Sequence, residues 1–176
     1  LGRKALYTIT TGTESVAIGS EALQNATGSK NTAIGYAAGN AVSSGQYNTF
    51  LGNASAVAVT TASNNVAVGY HAMVTATSAA NNTAIGTDAL YSLTTATGNV
   101  SLGYQAGYSL TTGSYNTALG YQTLDACSTG TENVAVGQAA LGALTTGNYN
   151  VGVGNAVLDA LTTGNYNVGV GLGSLG

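Results

Sequence analysis

The chain has 176 residues, with three basic and six acidic side chains, 26 glycines, one cysteine and neither proline nor tryptophan. A net charge of −3 excludes the basic footprint of a nucleic-acid binder. No apolar run reaches the ~18 residues of a membrane helix, so this segment is expected to meet neither nucleic acid nor the bilayer interior. Charged residues are only 5% of the chain, but Val, Ile, Leu and Thr are plentiful and evenly spaced, which argues for order over low-complexity disorder.

The first predicted strand is Val16-Ala17-Ile18, closed by Gly19, within ESVAIGSEA. The next is Thr32-Ala33-Ile34, closed by Gly35. That first step is 16 residues, because ALQNATGSKN is one residue short, which places a register defect near 24–31. Every later step is 17, with strands opening at Thr49, Val66, Thr83, Val100, Thr117, Val134, Val151 and Val168. The closing glycines run from Gly2 and Gly19 through Gly86 and Gly103 to Gly154 and Gly171. The residue before each strand from the second onward is asparagine: Asn31, Asn48, Asn65, Asn82, Asn99, Asn116, Asn133, Asn150 and Asn167. The stretch ALTTGNYNVGVG occurs twice, at 143–154 and 160–171. It shows the unit at its most regular: a ThrThrGly turn, Tyr, Asn, then the strand.

A fixed period of this length specifies a repeat architecture. The unit is too short for a helical hairpin, and its β-branched and glycine content opposes helix. The expected fold is therefore all-β: a parallel β-solenoid of about ten 17-residue coils, forming one array over 1–176. Each coil has room for two short strands and two turns, with glycine at corners that need positive φ. Identical residues then stack, and the nine asparagines are expected to hydrogen-bond up and down a ladder. The Val/Thr and Ile/Leu columns are expected to fill a thin interior. The small column between them, mostly Ala, implies close approach of other chains, closest where it shrinks to Gly152 and Gly169. Both ends fall mid-repeat without a cap, so a window of a longer fibre is expected.

Residues able to do chemistry are scattered. His71 is the single histidine and falls in a turn; Cys127 falls in an apolar column with Leu110 and Leu144. The acids Glu14, Glu21, Asp88, Asp125, Glu132 and Asp159 do not cluster in sequence. No nucleophile–base pair or metal-ligand spacing emerges, so no catalytic residue, metal or cofactor is assigned and the chain is not expected to be an enzyme. Tyr47, Tyr115, Tyr149 and Tyr166 each precede a ladder Asn, and Tyr36, Tyr70, Tyr104 and Tyr121 each follow a column Gly. Stacked tyrosines can staple coils together, the reading the repetition favours, or meet sugars and partner proteins. Recurring Thr pairs, such as Thr94-Thr95 and Thr111-Thr112, raise an ice-binding array as an alternative.

ESVAIGSEA at Glu14–Ala22 and ATGSKNTAIGYAAG at Ala26–Gly39 resemble the head repeats of YadA-type trimeric autotransporter adhesins. Later units such as LTTGSYNTALGYQTL at 110–124 resemble repeat arrays of phage tail fibres. The resemblance covers essentially the whole chain. It implies a left-handed β-roll assembled as a homotrimer, with the positions of Val16 and Ile18 turned into the roll. The implied role is a structural and adhesive fibre segment, extracellular on a virion or a bacterial surface, that touches a glycan or protein receptor. A tailspike shaft whose enzymatic tip lies elsewhere is the other reading of this kind.

Overall fold

A computed structural model describes residues 2–9 and 11–174. It is an all-β solenoid with one three-residue strand per coil and no helix among the described residues. The strands are β1 (Val16–Ile18), β2 (Thr32–Ile34), β3 (Thr49–Leu51), β4 (Val66–Val68), β5 (Thr83–Ile85), β6 (Val100–Leu102), β7 (Thr117–Leu119), β8 (Val134–Val136), β9 (Val151–Val153) and β10 (Val168–Val170). They form one ten-stranded sheet in sequence order. Every pairing is parallel and keeps like columns opposite one another, Val16 on Thr32 and Val151 on Val168.

Which way each strand faces follows from the asparagines. Side chains alternate along an extended segment, and Asn31 through Asn150 are buried. The residue after each Asn must then point out, the next in, and the third out. That is the observed pattern. Ala17, Ala33, Phe50, Ala67, Ala84, Ser101, Ala118 and Ala135 are buried, and the residues on either side of them are half-buried or exposed. The expectation that Val16, Ile18 and their equivalents fill the interior is therefore corrected. The ladder takes the inward parity, and the aliphatic columns are left outside. The small column consequently packs within its own chain. A Cβ at Gly152 would meet Leu141 and Val157, and one at Gly169 would meet Val157 and Leu158. Those two glycines do not mark the approach of a neighbouring chain.

The second wall is not a strand, contrary to the two-strand expectation. Among the described residues, the backbone two and four positions past each column Gly is left-handed, as at Asp88 (φ 56°) and Leu90 (φ 50°), which breaks an extended run. Such residues cost roughly 1–2 kcal/mol each. Here the cost is offset by pairing between coils: Asp88 N–H donates to Tyr70 O (3.0 Å) and Leu90 N–H to Ala106 O (3.0 Å). This wall supplies the larger core residues, including Leu23, Met73, Leu90, Leu124 and Leu141, while Leu93, Leu110, Cys127 and Leu144 fill the far corner.

The core balances volume between its walls. Phe50 is the one large residue among the buried strand centres, and the wall positions on either side of it are small: Gly39 and Ala56 stand in the column that carries Leu23, Met73 and Leu90 in other coils. A Cβ on Gly39 would lie 2.6 Å from Phe50 Cδ2, so ring and side chain compete for one space. Phe50→Ala is expected to cost about 3–5 kcal/mol. Adding Gly39→Leu should recover much of that loss, because Leu23 and Leu90 adopt the same left-handed conformation (φ 47° and 50°) that Gly39 has. Thermal unfolding of the two single variants and the double variant checks this; additive losses would contradict it.

The coil between β1 and β2 is short by one residue, and its place can be located. Thr27 Oγ1 donates to Ser43 O, and Gly28 stacks on Gly45. The missing residue is therefore the partner of Ser44, the outer member of the Thr pair. Ser44, Thr61, Thr95 and Thr112 are all exposed in that column.

Candidate interaction surfaces

Asn116 shows how the ladder is built. Its backbone N–H and Nδ2 both donate to Asn99 Oδ1 (2.9 and 3.2 Å), and Nδ2 also donates to the carbonyl of Gly130 (2.8 Å). Its Oδ1 in turn accepts the backbone N–H and Nδ2 of Asn133 (3.0 and 3.1 Å). The same contacts run from Asn48 through Asn150, and Asn167 continues the ladder half-exposed. At the other end Ser15 takes the place of asparagine, its Oγ accepting Asn31 N–H (3.1 Å). Ser15 belongs to this column, although residue identity does not mark it. Each amide thus joins neighbouring coils and ties the strand to the corner, so the ladder is a scaffold with no spare donor pointing outward.

Opposite the ladder's interior lies the outer face of the sheet. Every strand presents two outward residues drawn from Val, Thr, Ile and Leu. Val16 is 47% exposed, Ile18 48%, Val100 41% and Leu102 49%. Their hydrophobicity argues for the interior; the signal that places them outside is their odd offset from the buried asparagines. Tyrosines border this strip in sequence on both sides.

Tyr47, Tyr115, Tyr149 and Tyr166 are all exposed and all left-handed (φ 58–61°). They do not make one continuous stack. Tyr149 and Tyr166 lie parallel, with ring centroids 4.9 Å apart and 2° between planes. Tyr47 meets Lys30, whose Nζ donates to its hydroxyl (3.2 Å), and that bond raises the lysine pKa. Tyr115 lies over Gly98. Further stacks join Tyr104 to Tyr121 (5.2 Å) and Tyr91 to Tyr108 (5.0 Å). Where a ring is stacked, one face is taken by its neighbour, leaving mainly edges and hydroxyls for a partner.

The threonine pairs divide their work. The inner member bonds the next coil: Thr77 Oγ1 donates to Thr94 O, Thr94 to Thr111 O, and Thr111 to Ser128 O. Those hydroxyls are engaged within the solenoid, and only the outer member is free at a corner.

The remaining polar groups are dispersed. His71 stacks on Tyr70 (3.7 Å) and approaches Asp88 (3.8 Å). Cys127 is buried, and burial pushes its thiol up to about 11. Partial burial raises the carboxyl pKa of Asp125. Among the described residues no three His, Cys, Asp or Glu side chains gather as a metal set, and no helix is long and apolar enough to cross a membrane. The chain matches no family model, no curated protein and no solved structure.

Proposed function

We propose that the chain is a segment of a homotrimeric structural and adhesive fibre, of the kind carried as a phage tail fibre or a bacterial surface adhesin. It holds distance, presents a receptor-contacting surface to a glycan or protein outside the cell, and performs no chemistry of its own. The observation that carries this reading is the outer face of the sheet. Ten strands spaced by ~4.8 Å span about 43 Å, and over that length the face holds only Val, Thr, Ile and Leu. Soluble monomers rarely leave so long an apolar strip in water. Because every level is alike, the best complement to one face is the same face of another copy at matched height. Three copies around an axis bury one such face each and leave the tyrosine borders and the Thr corners outside.

Sedimentation equilibrium tests the assembly. The wild-type chain should sediment at three times its chain mass, and Val100→Glu with Leu102→Glu should release folded single chains. A wild-type chain that sediments as a well-folded monomer would refute the proposal.

A further inference from the structure

Tyr149 and Tyr166 stand apart from the other tyrosine pairs. They occupy equivalent places in the two identical stretches, one coil apart, and their rings are the most nearly parallel of the stacked pairs among the described residues (2°, against 15° and 20°). Rings related by a step of one coil bring like carbons as close as their centroids, 4.9 Å. Both are reachable from solvent, Tyr149 at 43% and Tyr166 at 76% exposure. Glu132, one coil before Tyr149 in the same column, sits beside the Tyr149 phenol, and its charge raises the phenol pKa. A phenol gives up an electron readily only when its proton has somewhere to go, and the exposure of both rings lets solvent take it.

We propose that Tyr149 and Tyr166 form an oxidative cross-linking site. There, a haem peroxidase acting with hydrogen peroxide joins the two rings by a carbon–carbon bond ortho to the phenol oxygens. Each phenol loses one electron and one proton, and the two phenoxyl radicals couple. The ortho hydrogens then move to the oxygens and restore both phenols. The peroxide O–O bond takes up the two electrons and two protons and leaves as two waters. The product staples adjacent coils covalently, a task the lone Cys127 cannot perform. The inference stands on pair geometry within one chain and does not depend on the trimer.

The site can be read without ambiguity because Asp159 lies between the two tyrosines. Cleavage before aspartate yields 125–158, which contains Tyr149 as its single tyrosine, and 159–176, which contains Tyr166 as its single tyrosine. After peroxidase and hydrogen peroxide treatment of dilute protein, these two peptides should appear joined, with a mass lower by two hydrogens. The oxidised chain should keep single-chain size on a denaturing gel and gain dityrosine fluorescence. Tyr149→Phe or Tyr166→Phe should abolish the joined peptide, and Tyr104→Phe should leave it intact. The proposal is overturned if 125–158 and 159–176 stay separate while other tyrosines couple. It is equally overturned if the join occurs only in bands of two-chain size.

Discussion

Replacing Gly86 with alanine is expected to cost about 2–6 kcal/mol, from backbone strain and overpacking together. Gly86 holds φ at +137°, a region that residues with a Cβ scarcely enter. An added methyl there would also press into the carbonyl of Gly103 on the next coil, and that carbonyl cannot retreat without opening the stack. The glycine column is therefore required twice over, by conformation and by contact. Gly173 provides the control. It is left-handed (φ 55°) with nothing within 4 Å of an added Cβ, and Ala139 and Ala156 hold the equivalent place in earlier coils (φ 53° and 47°). Gly173→Ala should cost only the conformational part, about 1–2 kcal/mol. Equal losses for the two variants, measured by denaturant unfolding, would refute the account of the column.

The second large effect concerns charge in the ladder. Asn116→Asp preserves shape but replaces the Nδ2 donor with an acceptor that faces Asn99 Oδ1 and Gly130 O, both acceptors themselves. A buried ionised carboxylate so placed should cost about 3–5 kcal/mol near pH 7. Burial and the facing oxygens favour the protonated acid, so its folded pKa rises above the unfolded value of about 3.9. The native state then binds more protons than the unfolded state between those two values, and stability falls as pH rises through that window. Acidification towards the unfolded pKa should restore much of the loss, because the protonated acid donates again. With only six acidic residues in the wild-type chain, the background pH dependence is shallow enough to expose this slope. A variant equally unstable at both ends of the window would show that charge is not the cause.

Much of the coil is legible in the amino-acid sequence, because a solenoid writes its contacts as residue identity at a fixed spacing. The strands, their order and the offset of 16 between Val16 and Thr32 all follow from counting. The facing of the sheet does not follow from hydrophobicity, which points the wrong way; parity decides it. Asn31 and Ile34 are three residues apart and cannot share a face of one strand. Once the asparagine is turned inward, the isoleucine must face out. The second wall is also hidden, since Leu90 and Met73 are ordinary strand or helix residues by propensity yet are held left-handed by contacts with neighbouring coils. Of the tyrosine column preceding the ladder, the positions are visible. So is their pairing, since Tyr149 and Tyr166 are the only members on adjacent coils, with Asn64, Asn81, Gly98 and Glu132 separating the others; the nearly parallel ring geometry is not, because it depends on side-chain torsions.

The coil that lacks the partner of Ser44 keeps every inward column intact: Ala26 and Asn31 remain buried, and Gly28 still meets Gly45. Chain length and core are thus uncoupled at one corner of the unit. A lineage of such arrays can shorten there without repacking anything, and by the same reasoning can lengthen there into a loop. The outer Thr position is the natural insertion point for a peptide to be displayed along the rod at a chosen height.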